Sequence, residues 1–201
     1  MTKPPTTMSI IDWDIEPDLE RLRRARATQR VDPRQGLQDL VDLAELGSVA
    51  GMIYVGHAYQ TGEGCPKDAE RAEYWFRSAT ETGSLEGSFR LAGLYRASGR
   101  FDEALQLYTI SAALNFPAAI TWIGRMYSDG LGVEPDLDKA IELWRRASVL
   151  GHPYATRNLA MLYIKGRYGL AGVFKGVGML LSAIRDAVSI SIQDPKSNLL
   201  W

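Results

Sequence analysis

The chain has 201 residues, 46% hydrophobic and 23% charged, which is the composition of an ordinary globular domain and excludes a disordered or fibrous chain. Its net charge of −1 gives no bulk attraction to nucleic acid or to a membrane surface. The single cysteine, Cys65, excludes an intrachain disulfide and suits a reducing compartment.

From the N-terminus, residues 1–16 read as a loose, proline-containing lead-in. They lack the apolar core of about 7–15 residues that a secretory signal needs. No stretch of about 18 residues is free of charge, so no membrane span is expected. The nearest candidate, Tyr168 to Ile192, carries Lys175, Arg185 and Asp186 and is rich in glycine. A cytoplasmic protein is the expectation. Pro17 and Asp18 mark a helix start. The helix they open carries Arg21, Arg23, Arg24, Arg26 and Arg30, the densest charge cluster in the chain. One reading is a face for an anionic partner, nucleic acid or lipid headgroups. The preferred reading is a solvated face, with Leu19, Leu22 and Ala25 covering the end of the fold and Glu20 beside the arginines. Next, Pro33 to Gly47 shows helical apolar spacing and ends in glycine.

A repeat then becomes visible, and it decides the architecture. The stretch from Val55 through Gly62-Glu63-Gly64-Cys65-Pro66-Lys67-Asp68 to Gly83 recurs from Ile123 through Gly130-Leu131-Gly132-Val133-Glu134-Pro135-Asp136 to Gly151, at a constant offset of 68 residues. Between them a shorter unit runs from Leu91 through Gly99-Arg100-Phe101-Asp102-Glu103-Ala104 to near Asn115. After them comes Leu159-Ala160-Met161-Leu162-Tyr163. The small residues Gly36, Ala72, Ala104, Ala140 and Gly176 step by 36, 32, 36 and 36 residues along the second helices. Within a unit, Val55, Ala58 and Tyr59 form an apolar stripe. Gly56, Ala92, Gly124 and Ala160 are all small, which lets the second helix of the same unit come close. The Gly-x-Gly loops supply the left-handed backbone a tight reversal needs. Asp68 and Asp136 suit the orphan amides of a helix start, and Gly47, Gly83 and Gly151 stop second helices. Each unit buries its apolar face only against its neighbours, so several must stack.

The pattern Leu-Gly-x-Leu-Tyr, Gly-x-Gly-Val, Asp, Lys-Ala, Trp-Tyr, Ala, Gly resembles the Sel-one-like repeat family, relatives of tetratricopeptide repeats. It is carried best by residues 48–83 and 117–151 and less fully by 152–187. The unit at 84–116 lacks the glycine loop, and its Gly-Arg-Phe-Asp-Glu-Ala turn resembles a tetratricopeptide repeat. The resemblance covers roughly residues 30–187. It implies an all-α, right-handed superhelical solenoid of stacked antiparallel helix pairs, bacterial in style and usually serving as a protein-interaction scaffold, with no chemistry implied. The solenoid is placed at 17–194, in units of roughly 17–47, 48–83, 84–116, 117–151 and 152–192, followed by a tail at 195–201.

The residue types of an active site are sparse. His57 and His152 stand almost three repeats apart, and no His-x-x-x-His, Cys-x-x-Cys or His-Glu-x-x-His exists, so no metal is expected. No strand precedes the Gly-x-Gly loops and no Gly-Lys-Ser/Thr follows them, which argues against a phosphate loop. No cofactor and no enzyme activity are expected. Cys65 stands where the matching unit has Val133 and reads as a small apolar residue. Trp75 and Trp144 read as packing between helices. Glu73, Glu81, Glu86 and Glu142 have no evident convergent partner.

Function is therefore expected at a surface. Counting from the stripe residues Val55, Leu91, Ile123 and Leu159, the concave groove of first helices is predicted to expose Ile53, His57 and Gln60; Phe89, Gly93 and Arg96; Thr121, Arg125 and Ser128; and Arg157, Met161 and Ile164, with Tyr154 and Lys165 beside them. Its mixture of apolar contacts and cations predicts a protein partner through a segment of acidic and apolar character. The bland alternative is that these arginines solubilise the fold or pair with Glu86 and Asp129. Other readings are an accessory subunit of an enzyme complex, as in envelope or polysaccharide pathways, and an anionic-surface or nucleic-acid binder through Arg21–Arg30. Homo-oligomerisation is compatible with all of them. The tail's Leu199-Leu200-Trp201 either caps the open end, the preferred reading because terminal repeats need a cover, or offers a docking motif.

Overall fold

Six short polar side chains decide where six of the helices begin. Asp18, Asp32, Ser48, Asp68, Ser84 and Asp136 each accept a hydrogen bond from backbone N–H groups two or three residues on. This satisfies amides that no helical carbonyl reaches. Proline follows at the first helical position in three helices, at Pro33 and at Pro117 and Pro153, the last two after an N-cap residue that makes no side-chain hydrogen bond; there its fixed φ fits and its missing N–H costs nothing.

The computed structural model describes residues 16–165 and 169–193. The lead-in before Glu16 and the tail at 195–201 lie outside the described residues. The helices are α1 (Leu19–Val31), α2 (Pro33–Glu45), α3 (Val49–Thr61), α4 (Ala69–Glu81), α5 (Leu85–Ala97), α6 (Phe101–Ala113), α7 (Pro117–Asp129), α8 (Leu137–Val149), α9 (Pro153–Ile164) and α10 (Gly169–Gln193). The described residues contain no strand. The fold is all-α, as the period of the apolar residues predicts. It forms two compact units, one up to Leu107 and one from Tyr108.

In the first unit, consecutive helices from α1 to α5 pack on one another, and α3 also touches α5. Leu22, Leu40, Leu43, Val55, Ala58 and Ala79 are buried together. Gly56 receives the ring of Phe76: a Cβ there would meet Phe76 Cδ1 at 2.7 Å. In the second unit α7 packs on α8, α8 on α9 and α9 on α10. Ile120, Met126, Ala147 and Ala160 are buried. Gly124 takes Trp144 as Gly56 takes Phe76, with a Cβ 2.6 Å from Trp144 Nε1. The recurring small residues of the second helices form buried seams in these pairs. Ala72, Ala104 and Ala140 are fully buried, and a Cβ on Gly176 would strike the Ala160 carbonyl at 2.7 Å. After α3 and α7 the chain turns through Gly62 (φ 84°) and Gly130 (φ 68°), conformations that glycine adopts without steric cost.

Candidate functional site

The second unit contains a cleft of about 410 Å³ between α7, α8 and α9. Arg125, Ser128 and Asp129 of α7 form one wall and Arg157, Asn158, Met161, Leu162 and Lys165 the other, with Trp144 of α8 also lining it. Trp144 is held by its indole N–H, which donates to the Thr121 carbonyl at 3.0 Å. Arg125 Nε donates to Asp129 Oδ2 one turn along α7, so this cation is partly neutralised. Arg157 lies over the Tyr154 ring, 4.8 Å from its centroid. Met161 stays 43% exposed. Three cations face one carboxylate around an apolar patch, an arrangement suited to carboxylates attached to apolar side chains.

The corresponding surface of the first unit joins α1, α3 and α5. The Arg26 guanidinium stacks on Tyr54, 4.1 Å from the ring centroid. Glu86, 6% exposed, accepts from Arg90 Nε at 2.6 Å. Burial lowers the His57 pKa, and the positive charges of Arg90 and Arg26 lower it further. At the start of α3 the Glu16 carboxylate accepts from the Ser48 hydroxyl at 2.5 Å and from the Ala50 N–H at 2.7 Å. Among the α1 arginines, Arg21 reaches Asp42 at 3.8 Å and Arg23 pairs with Glu20 at 2.8 Å, while Arg24 and Arg30 are exposed.

Of the residues placed in the groove by counting, Arg125, Ser128, Arg157, Met161 and Lys165 line the cleft together, and Tyr154 stands beside it under Arg157. His57, Gln60, Phe89, Gly93 and Arg96 are half-buried in the first unit, and Ile164 is half-buried in the second. Two placements are corrected. Ile53 is 4% exposed and belongs to the core with Leu22, Leu37 and Leu40. Thr121, at the same repeat position, is 5% exposed and donates to the Pro117 carbonyl. The other two residues at that repeat position differ: Phe89 is half-buried and Arg157 is exposed at the cleft, so the packing of the neighbouring helices sets the exposure of this position unit by unit.

Two features escape sequence counting. Glu73 has convergent partners after all: Tyr95 Oη donates to it at 3.0 Å, Arg100 at 3.1 Å, and Arg77 also donates. Burial alone would raise its pKa, but the Tyr95 and Arg100 hydrogen bonds and the arginine charges outweigh burial and hold it below the usual carboxylate range. The second is a tyrosine–cation clasp. Arg71 donates to Tyr59 Oη at 3.1 Å and Lys139 to Tyr127 Oη at 2.8 Å, and Lys175 lies 5.0 Å over Tyr163. In all three the cation follows its tyrosine by 12 residues, a signal present in the sequence. Tyr95 has Leu107 at that spacing and is covered instead by Arg100, 3.8 Å from its centroid. Cys65 is half-buried, its thiol 3.7 Å from the Ala58 carbonyl, and burial raises its pKa. That environment disfavours the thiolate a reactive cysteine needs. Among the described residues, no helix is long and apolar enough to cross a membrane.

The Sel1 repeat family matches at residues 49–84 and 117–152, which places α3–α4 and α7–α8 within matched repeats. An uncharacterised protein of Neisseria meningitidis serogroup B is 27% identical over 129 residues, 58% of this chain. The chain spans about a quarter of that relative's length. A crystal structure of a Sel1 repeat protein from Oxalobacter formigenes superposes with a TM-score of 0.69 at 23% identity, covering 82% of this chain and 71% of the other. A protective antigen of uropathogenic Escherichia coli with an SLR fold gives 0.56 at 27% identity, over 65% and 29% of the two chains.

Proposed function

We propose that this Sel1-repeat protein is a non-catalytic protein-interaction module whose first-helix groove holds a partner segment of acidic and apolar character. The observation that carries the reading is the cleft of the second unit. Cations at its rim, Arg157 and Lys165, flank an apolar patch of Met161, Leu162 and Trp144. A carboxylate bound there gains charge-assisted hydrogen bonds of roughly 1.5–3 kcal/mol each. An apolar side chain beside it covers Met161, and each buried methylene contributes about 0.8 kcal/mol. Arg125 contributes less, because Asp129 already occupies it.

The test is fluorescence anisotropy with a labelled peptide, Asp-Glu-Leu-Trp-Asp-Leu-Glu, against wild type and the double variant Arg157→Glu, Lys165→Glu. Both residues are exposed, so the melting temperature should stay within a few degrees. The expected result is measurable binding to wild type, weakened at least tenfold in the variant, and none for the same peptide with lysine at its acidic positions. Equal affinity for wild type and variant overturns the reading.

A further inference from the structure

We propose that two copies of this chain associate through an apolar stripe on α10, packed antiparallel about a two-fold axis near Met179. The residues of the stripe do not line the cleft, so this is independent of the peptide-binding reading.

Three observations converge on it. The first is exposure. Phe174, Val177, Leu181 and Ile184 are 78%, 44%, 63% and 54% exposed, and all four fall on one side of one helix. α10 meets α9 by a different face, with Gly176 against the Ala160 carbonyl. The second is what other repeats carry at these positions. The 36-residue step that takes the Tyr127–Lys139 clasp to Tyr163 and Lys175 also takes Asp138 to Phe174 and Arg145 to Leu181. At the 68-residue offset the same positions on α4 are Glu70 and Arg77. These four charged residues are exposed, so α4 and α8 leave this face to water. Stacking one repeat on the next therefore does not account for Phe174 and Leu181. Val177 and Ile184 match positions nearer the stacking face, since Ile141 is buried and Ser148 bonds to Thr156 of α9. An occupant that covers all four sits off the register of the repeats. The third is spacing. Steps of three, four and three residues form the seam of a helix pair, and they read the same in both directions. Two antiparallel copies therefore set Phe174 against Ile184 and Val177 against Leu181, twice over, as a two-fold interface requires. A parallel pair would put Lys175 beside its own copy, whereas antiparallel packing separates these two residues by about 12 Å along the axis. Gly178, next to the two-fold axis, has nothing within 4 Å of its Cβ position, which leaves room for a second backbone. Such a pair buries roughly 1,000 Å² of surface, the size of a weak, reversible complex.

The test is sedimentation velocity on the full chain between about 5 µM and 500 µM, a range over which mass action reveals a weak dimer. The weight-average mass of wild type should rise from one copy towards two, and Leu181→Glu should stay at one copy throughout. Leu181 is exposed, so the helical signal should not change; if it does, Phe174→Gln serves with the same expectation. Direction is read by disulfide trapping in a Cys65→Ala background, which removes the chain's one thiol. Phe174→Cys mixed with Ile184→Cys should cross-link at least tenfold faster than either variant by itself. In the antiparallel pair each of these positions lies about 15 Å along the axis from its own counterpart, beyond the roughly 7 Å between Cα atoms that a disulfide spans. A mass of one copy at every concentration overturns the proposal, and cover of the stripe by the chain's own last residues or by a lipid surface would give that result. Association that both Leu181→Glu and Phe174→Gln leave intact overturns it equally, as does rapid trapping of Phe174→Cys with itself.

Discussion

His152 stands at the N-cap of α9 with its ring tilted against Tyr154. Its Nδ1 lies 2.8 Å from Thr121 Oγ1, and the Thr121 hydroxyl gives its hydrogen to the Pro117 carbonyl. The ring nitrogen must then be the donor, which fixes the neutral tautomer. Burial lowers the His152 pKa from 6.5 to about 4. As pH falls through 6.5 the unfolded chain takes up this proton, and the folded chain resists until about 4. The unfolded state binds more protons throughout that window, so stability is complete above 6.5 and falls as pH drops towards 4. The melting temperature followed by circular dichroism should decline over this range in wild type and flatten in His152→Gln. Identical slopes would show that the ring titrates freely. Glu73 acts lower on the scale: its depressed pKa gives stability that is present above 4.5 and lost beneath it, so between 6.5 and 4.5 the decline belongs to His152 and not to Glu73.

Between elements, the pairing of α7 with α8 depends on the missing side chain of Gly124. A methyl there would stand 2.6 Å from Trp144 Nε1 and 3.2 Å from the Ala140 carbonyl. Trp144 is 4% exposed and tied to Thr121 by its indole N–H, so it cannot swing aside. Overpacking of this kind costs about 1–3 kcal/mol, against a helix-propensity gain of about 1 kcal/mol for alanine over glycine. Gly124→Ala should therefore destabilise the chain by up to about 2 kcal/mol in urea unfolding. Gly178→Ala should do the opposite, by up to about 1 kcal/mol, because nothing lies within 4 Å of its Cβ position on α10. Matching signs for the two would sink the account. These close approaches were legible in the sequence, because a position that stays glycine or alanine from repeat to repeat marks where a neighbouring helix leaves no room for a larger side chain. So were the caps at Asp68 and Asp136, since a carboxylate before a helix has a local chemical reason. The face of Ile53 was not legible. The same repeat position is core at Ile53 and Thr121 and exposed at Arg157, and only the neighbouring helices decide which. The partners of Glu73 were hidden for a related reason, since Tyr95 and Arg100 lie 22 and 27 residues away in another repeat.

For the whole molecule, the net charge of −1 conceals how the charges are distributed. Asp68 and Asp136 are used at helix starts, Glu73 and Glu86 are tied up with arginines, and Arg157 and Lys165 are left at the rim of the cleft. Net charge therefore speaks only to a bulk electrostatic role and is silent about a local one. An acidic segment bound in the cleft should feel about two uncompensated cations, since Arg125 is shared with Asp129. Screening shortens the range of such attraction from about 10 Å at 0.1 M salt to about 3 Å at 1 M. The affinity of the Asp-Glu-Leu-Trp-Asp-Leu-Glu peptide should accordingly fall about three- to tenfold between these salts, mainly through a slower association rate. Met161→Ser should weaken binding by the same factor at both salts, because its contribution is burial of apolar surface. Asp129→Asn should strengthen binding and steepen the salt dependence, since it releases Arg125 to the ligand. Stopped-flow measurements on the three proteins separate these terms. Salt-independent binding would mean that the cations at the rim only solubilise the fold, whereas a steeper slope in Asp129→Asn would show that the carboxylate on α7 competes with the partner for the same guanidinium.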